Sequence, residues 1–444
     1  MKDMTKGSPL RIILSFAVPM ILSGMLQQCY NIADSIIAGQ YAGVNALAAV
    51  GVSNPITSLF VSLGTGAGMG CSVVISQLFG AKEMKKLKTS IYTAVLSFVV
   101  LSLTLMLVGQ GFAGPLTHLM NTPEEIYEDA LSYLRIYMWG LPFLFLYNIA
   151  NAVFNALGDS KKPLYFLMFS TVFNIGLDIF FVAVLHWGVR GVAWATFIAQ
   201  GLASALAIGV LLFKVRRLEE KVSYFDKKLL AGMSKVGIPT MLQMSIVSIG
   251  NLFVQALVNT YGSDFIAGYS AALKISGFFT VVIATMGTAV ATFTAQNIGA
   301  GRMERPGQGL RAGMLMNFVY CTAAVILVFV CGRQLIGLFV DETASAEVYQ
   351  AGVGYLRVVV SSSFFFVVLN NTCAVSRGAG YMVAFTSTTL VDLVIRVVSA
   401  YALSGVIGSG SVYWSVGIGW LVGAVMGAYF YRSGKWKQVK LLKE

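Results

Sequence analysis

Apolar runs of twenty residues or more recur from one end of this 444-residue chain to the other. No other feature constrains the fold as strongly. About 20 apolar residues carry a helix across the hydrocarbon of a bilayer, and runs of this length read as membrane-spanning helices. Composition agrees, because only 11% of the residues are charged, against roughly 25% in a soluble chain. The expected fold class is therefore an all-α polytopic membrane protein. Its start, MKDMTKGSPLRI, does not read as a cleavable signal peptide, since a long apolar run follows and no small-residue cleavage site does.

Twelve transmembrane helices are expected, over roughly 12–40, 46–79, 88–116, 128–156, 162–185, 190–214, 232–260, 265–297, 309–338, 350–377, 381–406 and 412–432. Pro19, Pro55, Pro142 and Pro239 fall inside these spans and are expected to kink them. The net charge of +12 does not point to nucleic acid, because the charges lie in short connections. On one side fall Lys2, Lys6 and Arg11, the 82–88 lysines, Lys161 and Lys162, the linker with Lys235, Arg302, Arg305, Arg311, Arg377 and the tail from Arg432 through Lys443, which is 25 of the 31 Lys and Arg. The other side receives Glu124, Glu125, Glu128, Asp129, Asp264, Asp341, Glu342 and Glu347. By the positive-inside rule both termini are cytoplasmic. The five cysteines all lie in apolar spans, without metal-ligand spacing or a disulfide framework.

The chain also repeats itself. SQLFGAKEMKK (76–86) returns as AQNIGAGRMER (295–305), and YLRIYMWGLPFLFLYNIANAVFNALG (133–158) returns as YLRVVVSSSFFFVVLNNTCAVSRGAG (355–380). Pro19 and Asn31 correspond to Pro239 and Asn251, and Trp194 to Trp414. Two pseudo-symmetric six-helix lobes follow, 1–213 and 231–444, with a cytoplasmic linker over 214–230 and a basic tail. An even number of spans per half makes the repeats parallel, and such designs rock around a site near the bilayer midplane.

Five ionisable side chains remain inside the spans: Asp34, Asp178, Lys274, Asp392 and Arg396. A charge at the helix centre costs roughly 2.5–3.5 kcal/mol on insertion scales, so each reads as functional until explained otherwise. Asp34 in span one and Asp178 in span five both fall in the outer half, at a shared level. Asn174 precedes Asp178 by four residues and shares its face; Asn148 and Asn151 line one face of span four, and Thr196 lies at a similar depth. Two carboxylates, amide carbonyls and a hydroxyl suit a hard cation such as Na+. A proton held between two desolvated carboxylates suits them equally. The competing reading is polar glue, with Asp34 bonded to Asn31 or another helix.

The second half differs. Val254 stands opposite Asp34, and Asp392 with Arg396 replaces Asn174 with Asp178 at an offset of 218 residues. Asp392 and Arg396 can form a local i,i+4 pair, or Asp392 can pair with Lys274 across the lobe. These three make a C-half polar network. Candidates for lining a central cavity are Met25, Gln27, Tyr30, Tyr137, Asn148 and Phe154, with Gln243, Asn251 and Gln255 from span seven.

An enzyme is not expected: there is no phosphate-binding loop, no Ser-His-Asp arrangement and no zinc motif. A channel sits poorly with a parallel duplication and a buried carboxylate pair. A flippase for a lipid-linked precursor remains the alternative, although it needs several cationic cavity residues and only Lys274 and Arg396 are available.

The repeated GA-x-x-M segment, the paired RIY and RVV spans, ALGDSKKP (156–163), Asp34 and FNIGLDIFF (173–181), in this order across both halves, resemble the multidrug and toxic compound extrusion (MATE) transporters. The likeness is to the DinF-type and MepA-like prokaryotic branch of the MOP flippase superfamily, and it covers essentially the whole chain. The resemblance implies an inverted V of two six-helix lobes. It implies a secondary antiporter that exports amphipathic, often cationic drugs and toxic organic cations in exchange for H+ or Na+, with no cofactor and no nucleic acid, as a monomer in the lipid bilayer. It also implies a cation or proton site at Asp34, Asn151, Asn174, Asp178 and Thr196.

Overall fold

The computed structural model describes residues 2–120, 122–218, 221–340 and 344–441. Asp341 and Glu342, assigned above to the acidic side, and Lys443 of the tail lie outside the described residues. Among the described residues there are thirteen α-helices and no strand. They are α1 (Pro9–Ile37), α2 (Val44–Gly80), α3 (Met84–Leu119), α4 (Glu124–Trp139), α5 (Leu141–Ala156), α6 (Lys161–Asp178), α7 (Gly188–Arg216), α8 (Lys227–Val258), α9 (Ser263–Gly299), α10 (Arg305–Gly337), α11 (Ala346–Ala379), α12 (Met382–Ile407) and α13 (Gly410–Arg432).

Eleven helical segments are long and apolar enough to cross a membrane. Taken together, α4 and α5 pass the same test and give a twelfth candidate span, bent by 47° between Trp139 and Leu141. Gly140 and Pro142 explain the break. Pro142 has no N–H to give to the preceding turn, and Gly140 offers no side chain to hold it. In the repeat these positions are Ser362 and Phe364, and α11 runs through them unbroken. The same span is thus broken in one half and continuous in the other, through two substitutions.

Two compact units form. Among the described residues the first holds 2–3 and 22–242, and the second holds 4–21 with 243–441. The divisions at 21/22 and 242/243 fall inside α1 and α8, within a turn of Pro19 and Pro239. A cut at the linker alone would miss this exchange of half-helices.

In the first unit α2 packs on α3, α4 and α5, and α7 packs on α5 and α6. The opening half of α8 approaches α2 so closely that a Cβ on Gly70 would fall within bonding range of the Gly237 backbone. Without a hydrophobic drive between helices in lipid, such small-residue seams let van der Waals contact hold them together. Gly158, at φ +73°, turns the chain between α5 and α6, and Lys214 closes that turn with a 2.9 Å ion pair to Asp159.

In the second unit α11 packs on α9, α10, α12 and α13. The repeated AQNIGAGRMER segment has a clear local task there. Gln296 accepts from the Met4 N–H at 3.0 Å, Arg302 donates to the Thr5 carbonyl at 2.7 Å, and Arg305 donates to the Gly7 carbonyl at 3.0 Å. Met4 is fully buried in a cluster with Ile13, Phe16, Phe293 and Trp436. The chain before α1 is therefore strapped down by charged donors on backbone carbonyls, the stronger class of hydrogen bond.

Candidate functional site

The first unit assembles the polar residues singled out above. Asp34 lies in the last turn of α1, and Asp178 is the last residue of α6. Each helix then widens into a π-helical segment, Ala38–Ala42 after α1 and Ile179–Val184 after α6. These two segments pack against one another. A π-helical turn shifts the register by one residue and leaves backbone groups poorly matched, which is why such turns collect at functional sites. Here they bring the two acids together, and the Asp34 and Asp178 carboxyls lie within hydrogen-bond reach of each other.

Asn174 and Asp178 are 2% and 1% exposed. With its amide oriented to satisfy both ends, Asn174 donates to Asp178 Oδ2 at 2.8 Å and accepts from the Thr196 N–H at 3.3 Å. Thr196 in turn bonds the Tyr30 hydroxyl. One oxygen of each acid, Asp34 Oδ1 and Asp178 Oδ1, is buried with no partner. Buried polar atoms are almost always satisfied, and an orphan carboxylate oxygen on each of two neighbouring acids is a place for a positive charge. Asn31, the glue partner considered for Asp34, accepts from Gln27 at 3.2 Å.

Beside the pair is a cavity of about 90 Å³, lined by Gln27, Tyr30, Tyr147, Thr171, Asn174, Thr196 and Gln200 among others. A smaller space next to it, bounded by Tyr133, Tyr137, Thr196 and Gln200, shares two of those walls. Asn151 is one step removed: it bonds the Tyr147 hydroxyl, and its Oδ1 is otherwise unpartnered. Asp34, Asn174, Asp178 and Thr196 are thus gathered directly, and Asn151 through Tyr147.

The proposed substrate positions scatter more widely. Gln27 and Tyr30 face the cavity, and Tyr137 bounds the smaller space while donating to the Thr57 carbonyl at 3.4 Å. Asn148 is held by Thr65 and the Leu144 carbonyl at 3.3 and 2.9 Å, as a helix-packing residue. Met25 is half-buried and lines neither space. Phe154 is a correction. It is fully buried near the end of α5, against Phe166 and under Lys162 and Lys214. Two lysine heads over its ring mark it as a core residue at the cytoplasmic end. In the second unit Asn251 is exposed, Gln243 is half-buried, and Gln255 bonds Asn259 one turn on.

The C-half network is smaller than expected. Asp392 pairs with Arg396 at 3.1 Å, one turn along α12. Lys274 is exposed, with its ammonium 5.8 Å from the Phe339 ring. The proximity of Arg396 on the same helix face explains why Asp392 takes it and not Lys274.

Tyr133, Thr171 and Gln200 were not singled out from sequence. Tyr133 sits in the electrostatic reach of both acids, but a tyrosine in an apolar span carries no signal of its own. One clue was present: Tyr133 is among the residues the repeat keeps, as Tyr355.

Comparison with known proteins supplies context. The family model described as MatE matches residues 19–180 and 239–402, one match in each half. The probable multidrug resistance protein YpnP of Bacillus subtilis is 30% identical, over 100% of this chain and 99% of its own. The multidrug export protein MepA of Staphylococcus aureus is 24% identical, over 91% of this chain and 90% of its own. A crystal structure of a MATE in complex with MaL6 has the same fold, with TM-score 0.92 at 23% identity over 98% of this chain and 99% of that one.

Proposed function

The chain belongs to the MatE family, and we propose that it is a multidrug efflux transporter driven by a cation held between Asp34 and Asp178. The single observation that carries the coupling site is the contact between these two carboxyls inside an apolar helical unit. Two anions in contact there repel, so the arrangement calls for a proton or Na+. Asn174 holds Asp178 in place, is itself held by the Thr196 N–H, and Thr196 bonds the Tyr30 hydroxyl.

The mechanism follows from that geometry. With the cation bound, the pair draws the ends of α1 and α6 together. Without it, repulsion between the carboxylates loosens the π-helical segments that follow each acid. A flat cationic drug entering the cavity beside Tyr30, Tyr147 and Gln27 neutralises the same pair. Drug and coupling cation therefore exclude one another, which is the requirement for exchange. The expected substrates are amphipathic, often cationic compounds, and the coupling ion is H+ or Na+. The basic connections support a reading with both termini in the cytoplasm and the chain in a prokaryote's inner membrane, working as a monomer.

The test uses cells expressing the protein, loaded with ethidium. A Na+ jump and a pH jump are applied separately. Efflux that follows one of the two identifies the coupling ion; efflux that follows neither refutes cation coupling.

A further inference from the structure

The second half carries counterparts of the groups in this site, and most of the charged and cavity-facing ones have changed together. Asp34 and Tyr30 become Val254 and Gly250. Gly250 leaves a notch that the Leu393 side chain fills, where a Cβ would be impossibly close. Thr196 and Gln200 become Val416 and Trp420. Ala199 and Ala203, which line the 90 Å³ cavity, become Gly419 and Gly423. A Cβ on Gly419 would lie 2.6 Å from Asp392 Oδ1. The glycines thus let α13 close onto the carboxylate where the first half keeps a cavity.

The charged pair has changed as well. Asn174 and Asp178 become Asp392 and Arg396, with the same i,i+4 spacing on the corresponding helix. In the first half the acid has an unpartnered oxygen; in the second the acid has a guanidinium at 3.1 and 3.4 Å. One tyrosine is kept throughout. Tyr133 lies in the reach of Asp34 and Asp178, and its counterpart Tyr355 in the reach of Arg396.

We propose that Arg396 is a tethered counter-cation, which permanently fills the second half's version of the cation site and leaves the transporter one exchangeable site. The groups facing the pair are few. Arg396 meets Tyr269 of α9, Tyr355 of α11 and the Trp420 ring of α13 at 5.9 Å. Asp392 meets Cys373 of α11 and the backbone of α13 at Gly419. Among the described residues no second carboxylate is near, so removing the guanidinium leaves Asp392 to recruit a mobile cation. The inference rests on the coupling role proposed for Asp34 and Asp178, and its test is built to fail separately.

Asp34→Asn with Asp178→Asn removes the first site; coupled efflux surviving that change refutes the coupling reading alone. In that background, infrared difference spectra of the purified protein count titrating carboxyls. With Arg396 present, adding Asp392→Asn is expected to remove no titrating band. Arg396→Gln is expected to add one band, which vanishes on adding Asp392→Asn. Arg396→Lys is expected to match the parent. An Asp392 band seen while Arg396 is intact overturns the proposal, as does Arg396→Gln adding none. Where Arg396→Gln alone does not fold, the neutral double variant Asp392→Asn with Arg396→Gln carries the test in the otherwise natural protein. It is expected to transport with unchanged cation dependence, and a folded double variant without coupled efflux overturns the proposal.

Discussion

Replacing Asp178 by Asn keeps the size and most hydrogen bonding of the side chain and removes one charge. Asn174, 2.8 Å from Asp178 Oδ2, can still bond an amide oxygen there, so the fold is retained. What is lost is half of the charge that holds the coupling cation. Two unit charges about 4 Å apart interact by about 4 kcal/mol at the effective dielectric that suits protein sites. At roughly 1.4 kcal/mol per decade, that weakens the cation about a thousandfold. The assay is ethidium efflux from proteoliposomes, with the imposed H+ or Na+ gradient varied until efflux is half-maximal. Asp178→Asn is expected to move that point by about three decades, which reads as no efflux under ordinary gradients. Asp34→Asn should match it, and the double variant should add little, because the two acids act as one site. A half-maximal cation concentration within about threefold of the natural protein, in folded Asp178→Asn, refutes the shared-cation reasoning.

Other consequences are as direct. Phe154→Ala is expected to destabilise the protein by about 3–5 kcal/mol, seen as a lowered unfolding temperature in detergent. The drug profile of the folded fraction stays unchanged, since Phe154 is a core residue. Gly70→Val places a side chain against the Gly237 backbone, which cannot move aside; loss of folded protein on size exclusion is expected, and a monodisperse variant would contradict the close seam. Arg305→Ala removes donors to Gly7 and Asn297 at 3.0 and 2.7 Å. At about 2 kcal/mol for a charged hydrogen bond, the strap before α1 should be cut by protease roughly thirtyfold faster, and an unchanged rate argues against the clamp.

How much of the site could be read in advance depended on how costly each residue is in lipid. Asp34, Asn174, Asp178 and Thr196 stood out because charged or strongly polar groups in an apolar run need a partner, and the structure groups them. Tyr133, Gln200 and Thr171 did not, since their types are ordinary in helix cores. Phe154 and Asn148 were misplaced for the converse reason: aromatic and amide side chains on one helix face look alike whether they face a cavity or a neighbouring helix. The repeat was legible at the level of motifs, but its meaning for AQNIGAGRMER was not. Only the fold shows Gln296, Arg302 and Arg305 holding backbone from the far end of the chain.

By itself the sequence determined the helical class, the number of spans and the two-fold duplication, because lipid demands long apolar runs and makes every buried charge conspicuous. It marked Pro142 as one of four expected kinks, with no sign that the break would fall there and that Pro19, Pro55 and Pro239 would sit inside continuous helices. The tertiary structure decided what depends on which faces meet. It joined Asp34 to Asp178 through two π-helical segments that no residue pattern announces. It gave Asp392 to Arg396 and left Lys274 exposed. It exchanged the leading halves of α1 and α8 between the two compact units. Spacing along a helix sets a residue's depth and face; which carboxyl shares its charge with which partner is set by packing of a few ångströms between helices, and that is information only the folded chain contains.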